Sequence, residues 1–359
     1  MHAKFSRTFT VTVLAGALLL GAVAAGAAER LVYIPLGSAG KVLVVDARTN
    51  AVVREIKALP AVHGLAGTPD GRFLIAGNYD ERDARGDAAR KPAGISEKDH
   101  QAHHAKRAEG TQNENAMLST VSVVSTASGQ VVRRIDVPGA VHHVAVRPDG
   151  KYAAVTHPNQ DAVTVIDLGG YGVVDTIRTG TQPNYAVFSS DGSHLYVSNA
   201  GAGTISQIET NAWSVLRSVK VGEQPEHIVL SRDGKTLFVN NVEGGTVSIV
   251  DTQQGKVSRT VPIGSTLHGI DLSDDGKSLF VASLGGNKMV AVDLRNWTYR
   301  SVVLSPAPYH LATIRGTGKV YVSSADQPML WIVDQKTLSI AGQIKIGGKG
   351  HQIVVAKTR

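Results

Sequence analysis

PNYAVFSSDGSHLYVSNAGAGTISQIE, running from Pro183 to Glu209, is the stretch whose reading decides the fold. The chain writes it again as PEHIVLSRDGKTLFVNNVEGGTVSIVD from Pro225 and as LHGIDLSDDGKSLFVASLGGNKMVAVD from Leu267. Each copy has short Val/Ile/Leu-rich runs separated by an Asp-Gly turn and then a Gly/Asn turn. Runs of that length and composition, bounded by turn residues, read as strands rather than helices. Glycine after aspartate suits a tight hairpin, because it takes up a positive φ without steric penalty. A fourth run, such as KVSRTVPIG from Lys256, follows each copy.

Working outward, we count the residue seven before each turn Asp or its equivalent. This gives His63, His142, Asn184, Glu226, His268, His310 and His351, with successive gaps of 79, 42, 42, 42, 42 and 41. Four short strands every forty-odd residues are the signature of a β-propeller blade. The one long gap holds an insertion of about 37 residues, Tyr79 to Met117. The ends complete the count. Arg30 to Pro60 supplies only second, third and fourth strands, and His351 to Lys357 supplies only a first. Pairing them builds a seventh blade from both termini and removes free sheet edges. The expectation is an all-β, seven-bladed propeller of four-stranded blades over residues 29–359.

Residues 1–28 read as a secretory signal peptide. Lys4 and Arg7 precede an apolar stretch from Thr8 to Gly26, and Ala25-Gly26-Ala27-Ala28 offers small residues for cleavage. The reading implies a periplasmic protein with no membrane span once the leader is removed. Loss of Lys4 and Arg7 lowers the formal net charge from +7 to +5, too dispersed a surplus to argue for nucleic acid. The chain has no cysteine, which excludes disulfide frameworks, thiolate zinc sites, iron–sulfur clusters, cysteine nucleophiles and covalent c-type haem attachment.

The motifs Gln-Pro-x-(x)-Ile/Ala-Val-x-Ser-x-Asp-Gly, Leu-Tyr/Phe-Val-x-Asn and Thr-Val/Ile-Ser resemble the YVTN-type, YncE-like family of exported bacterial propellers. That family is related to the haem-binding propeller of the cytochrome-type nitrite reductases. The resemblance covers Arg30 to Arg359 outside the insertion. It implies an architecture but no activity, since one fold hosts many functions.

Repeat alignment turns composition into geometry. The counted residues open the innermost strand of each blade, so they should converge around the central channel at one face. Five of the seven are His (His63, His142, His268, His310 and His351), joined by Glu226 and Asn184. The next column adds His143, Tyr185 and His227. The last residues of the second strands, Asn78, His157, Asn199 and Asn241, are expected near the same mouth. In the insertion, SEKDHQAHHAKRAEG from Ser96 has capping-box spacing at Ser96 and Asp99 and a helix stop at Gly110. On such a helix His100, His103 and His104 share one face, which predicts a partly helical lid.

Imidazole-rich, thiolate-free sites suit Cu(II), Zn, Ni or haem iron. The expected cofactor is a transition-metal ion, Cu or Zn, with a haem-type cofactor as the second option. Asn184, Tyr185 and Glu226 would complete the pocket. Nitrous oxide reductase holds a copper cluster in a histidine ring on a seven-bladed propeller. This chain departs from that pattern at Asn184 and Glu226 and has no cysteine, so the activity does not carry over. Two other readings stay open: a propeller lactonase or lyase with Glu226, His227 and His268 as acid/base candidates, and a monomeric scaffold that docks a periplasmic partner protein. A polar channel mouth that is merely solvated would also account for the histidines. The export reading predicts that protein recovered from the periplasm begins at or next to Ala28; N-terminal mass spectrometry showing an intact Met1 in that fraction would overturn it.

Overall fold

Within each repeat the second and third strands are apolar on both faces, so each sheet must be covered on both sides. In the blade of Pro183–Phe188, His194–Asn199, Thr204–Glu209 and Ser214–Lys220, the two middle strands are buried for almost their whole length, while only Val219 of the outermost strand is. The computed structural model describes residues 30–84 and 117–356, which fold into seven antiparallel sheets. Six have four strands and one has five. The architecture is therefore the seven-bladed, all-β propeller implied by the repeat. The one helical element among the described residues is a single 3-10 turn, Gly37–Ala39.

Closure joins the two ends of the chain. Val354–Ala356 pairs with Leu31–Leu36 through Leu31↔Ala356, Val32↔Val355 and Tyr33↔Val354, and Lys41–Asp46 and Ala51–Ile56 finish that blade. The second blade consists of Val62–Gly67, Phe73–Asn78, Met117–Ser125 and Val131–Pro138. Its long connection leaves from Asn78, and a short strand, Arg82–Asp83, pairs with Met117 and Leu118. The expected leader 1–28 and the expected lid helix with His100, His103 and His104 lie outside the described residues.

The apolar core is divided among seams between blades rather than gathered at one centre. Val32, Ile34, Tyr321 and Ile332 fill the seam between the closing blade and the seventh, for example, and Phe280, Ala282, Val322 and Trp331 fill that between the sixth and seventh.

Two local devices shape the innermost strands. Ala61, Gln182, Gln224, Thr266 and Ala307 all have positive φ, and each immediately precedes such a strand. A β-bulge follows at once: register shifts between Val62 and Leu65, Pro183 and Ala186, Pro225 and Ile228, Leu267 and Ile270, and Pro308 and Leu311. A bulge leaves residues outside the ladder and re-aims their side chains. In each of these blades two consecutive residues are freed, and these form the mouth of the channel.

Neighbouring blades are tied at this level by side chains that grip backbone carbonyls across the seam. Thr156 Oγ1 donates to Asn184 O at 2.9 Å, Ser198 Oγ to Glu226 O at 2.6 Å, and Asn240 Nδ2 to His268 O. Deleting residues 353–359 would remove the three closing pairs and withdraw Ile353, 8% exposed, from its seam. Loss of one large buried aliphatic side chain costs about 2–5 kcal/mol, so thermal unfolding should fall by roughly 3–8 °C in a fold of this size. An unchanged melting temperature would mean that closure is not what holds the ring.

Candidate metal centre

The bulges give each blade a first and a second freed position. The first is occupied by His63, Asn184, Glu226, His268 and Tyr309, the second by Gly64, Tyr185, His227, Gly269 and His310. Register in the remaining blades puts His142 and His143, and His351 and Gln352, at the same pair of positions. His310 thus sits one place later than the turn count placed it, and Tyr309 takes the first position. The cause is the hairpin Gly316-Thr317-Gly318, with positive φ at both glycines where the other blades have one Asp-Gly.

These side chains meet. His227 lies 4.2 Å from His268 and 4.9 Å from His310 between ring centroids, and His268 and His310 are 4.7 Å apart. Tyr309 packs on both His268 and His310, at 3.7 and 4.2 Å. A second group joins His63 to His142 at 4.5 Å, to His351 at 4.4 Å and to Tyr79 at 5.2 Å. His310 and His351, 5.9 Å apart, link the two. His143 stacks on Tyr185 at 3.5 Å, and Tyr185 reaches His227 at 4.9 Å. Sequence reasoning missed Tyr79 and Tyr309. The bulge register identifies Tyr309, and Tyr79 follows directly on the last residue of its strand.

Ring protons sort these imidazoles. A neutral imidazole has one donor and one acceptor nitrogen. His63 Nδ1 donates to His142 O at 2.8 Å and His142 Nδ1 to Asn184 O at 3.0 Å, which places the ring proton of each on Nδ1. The Nδ1 of His227 is buried with no hydrogen-bond partner among the described residues, which makes it a candidate ligand atom. His143 is the reverse case. Its Nδ1 accepts the Ala186 N–H at 3.3 Å, so its proton sits on Nε2, which is buried and has no partner among the described residues. Asn184 Oδ1 is buried in the same condition.

Among the described residues, one set of three metal-ligating side chains brings its donor atoms within 4.8 Å of one another: His227, His268 and His310. Glu226 Oε2 is 3.8 Å from His268 Nε2, and Glu226 is 3% exposed. Burial pushes the His227 ring down to about 4, against the opposing pull of Glu226 and the His268 backbone; it pushes His63 down to about 4 and His143 well below its usual range. Neutral imidazole is the form that binds metal. Burial also raises the hydroxyls of Tyr79, to about 12, and of Tyr185 and Tyr309.

His157 does not join the mouth. It is fully buried, its Nδ1 donates to Ala140 O at 3.1 Å, and its Nε2 accepts from Thr164 Oγ1 at 2.9 Å. Asn199 and Asn241 likewise turn into their own blades, toward Thr204 and Ser206 and toward Thr246 and Ser248. In these three blades the last residue of the second strand thus pins the third strand, whereas Asn78 accepts from the Asp80 N–H at 2.8 Å.

Residues 180–354 match the family model described as a YNCE-like β-propeller, in agreement with the resemblance read from the repeats. Among solved structures, the periplasmic gluconolactonase PpgL of Pseudomonas aeruginosa superposes with a TM-score of 0.70 at 16% identity, covering 92% of this chain and 99% of that one. Hydrazine synthase of Kuenenia stuttgartiensis gives 0.66 at 20% identity, covering 86% and 92%. Dihydro-heme d1 dehydrogenase NirN gives 0.62 at 13% identity, covering 88% and 63%. At these identities the likeness is one of fold. A 72-residue stretch is 33% identical to the uncharacterized protein YwhL of Bacillus subtilis; it spans 20% of this chain and 16% of that protein.

His157 provides a clean pH test, because it is structural and held neutral, with its pKa lowered to about 4 by burial. The unfolded group, near 6.5, binds more protons in that window, so stability is full above about pH 6.5 and falls as pH drops toward 4. Denaturant titrations at pH 7.5 and 4.5 should show this loss, and H157N should show a shallower pH slope at the cost of lower stability at neutral pH. An identical slope in the variant would remove His157 from the balance.

Proposed function

We propose that this chain is an exported binding protein that takes up a transition-metal ion, Cu or Zn, at the channel mouth. His227, His268 and His310 would hold it, with Glu226 beside them, in a metal-handling or redox accessory role. The observation that carries the reading is the convergence of three imidazole donor atoms within 4.8 Å. The buried Nδ1 of His227 supports it, because a buried polar atom with no partner is costly unless something binds there. Nitrogen-rich sites without thiolate suit Cu(II), Zn and Ni. An ion fits the packing better than a planar macrocycle does, since the three rings stand only 4.2–4.9 Å apart. When bound, the ion supplies Lewis-acid chemistry, and copper adds one-electron transfer. The protein's own share is to keep His227 neutral through burial, to bring the three rings together, and to place a carboxylate at the edge of the site.

Periplasmic location rests on the leader reading and on the exported character of YncE-like propellers. No helix among the described residues is long and apolar enough to cross a membrane. A lactonase-type activity is the second reading, favoured by the buried Glu226 carboxylate beside His268 and by the shared fold of PpgL.

Elemental analysis of protein purified from the periplasm, followed by Zn and Cu titration, tests the first reading. Wild type should bind one equivalent at micromolar concentration or tighter, and H227A or H268A should weaken it by roughly tenfold or more. Absence of uptake in the wild type would refute the metal reading, whereas lactone hydrolysis that persists in chelator and collapses in E226Q would establish the second.

A further inference from the structure

The proton on His143 bears on what else the site takes up. His143 is 4% exposed, and its ring lies against Tyr185, which in turn touches His227. Its backbone N–H is satisfied by Thr156 Oγ1 at 3.0 Å, and its Nδ1 is committed to the Ala186 N–H. What remains is an Nε2–H donor, buried and without an acceptor among the described residues. A buried donor left unmade costs about 1–3 kcal/mol. It cannot serve as a metal ligand either, because coordination through Nε2 would require the proton to leave. His143 is thus chemically unlike His63 and His142, although sequence alone groups it with them.

A second consideration is charge. Imidazole ligands bring no negative charge to a dication, and Glu226 supplies at most one. A cation in so dry a site favours a further anionic partner.

We infer that the site takes a small carboxylate together with its metal, one oxygen on the ion at His227, His268 and His310 and the other accepting the hydrogen bond from His143 Nε2–H. The inference rests on the metal reading above and assigns the ligand class for the same site. Tyr185, which packs against His143 and meets His227 edge-on, is the floor across which the carboxylate spans. No bond is made or broken; the step is binding alone.

The test uses the full chain loaded with cobalt(II), whose visible absorption reports its ligands, titrated with sodium acetate against sodium chloride at constant ionic strength. Wild type should show a saturable spectral change with acetate and none with chloride. In H143N, which keeps an acceptor near the Ala186 N–H but has no donor at the Nε2 position, acetate affinity should fall by roughly ten- to hundredfold. In H143Q, whose amide N–H reaches that position, it should stay within about threefold of wild type. Independently, the ring ¹⁵N signals of His143 in the wild type should report the Nε2–H tautomer and move on acetate addition, a reading that survives if a variant fails to fold. Cobalt uptake with no acetate response, or equal acetate affinity in H143N, overturns the carboxylate assignment while leaving the metal site standing. Failure of the wild type to take up cobalt overturns the metal reading itself, and this inference with it.

Discussion

Three residue pairs, Leu31↔Ala356, Val32↔Val355 and Tyr33↔Val354, hold the two ends of the chain in one sheet, and the rest of the architecture depends on them. A propeller has no central core; its apolar surface is shared out among seams, each of which needs a blade on both sides. Without closure, the seam filled by Val32, Ile34, Tyr321 and Ile332 would lose one wall. With it, every innermost strand is set about one axis, and residues 42 positions apart in sequence become neighbours in space. The carbonyl grips of Thr156, Ser198 and Asn240 repeat the same constraint at the level of single hydrogen bonds.

That constraint gives the channel mouth its chemistry. Gathering imidazoles, phenols and a carboxylate in a dry place opposes folding, because burial of polar groups costs free energy unless each is satisfied. Backbone carbonyls and amides meet part of that cost, and they fix where the ring protons of His63, His142 and His143 reside. Positive φ before the innermost strand and the bulge after it add local strain of the kind that gathers at functional sites. The polar mouth is thus the place where local preference and overall fold disagree, and such disagreement is expected at sites under functional demand.

Most of the fold was legible because its signals are periodic: strand length, Asp-Gly turns, the 42-residue step and the split blade can each be counted along the sequence. The site was legible to the extent that it follows the same period. His63, His142, Glu226 and His268 were found by counting, and His310 was placed one position off because its hairpin carries glycine on both sides of Thr317. His157 was grouped with the mouth because pattern alone does not reveal on which side of a strand end a side chain is satisfied. The clue lay in the third strand, where Thr164 corresponds to Ser206 and Ser248, the partners of Asn199 and Asn241. The tautomers were beyond reach of the sequence altogether, since they depend on which backbone group each nitrogen meets.

Gly64 and Gly269 occupy the second bulge position of their blades, and at both a Cβ would run into the backbone of the next blade, 2.9 Å from His143 Cα and 2.4 Å from Leu311 N respectively. These two gaps cut the second-position side chains into one arc of His143, Tyr185 and His227 and another of His310 and Gln352. A perfectly repeated mouth would offer any guest seven interchangeable orientations, and no orientation could then be rewarded over another. The two glycines lift that degeneracy, so that a molecule built from near-identical units can still tell a guest which way to face.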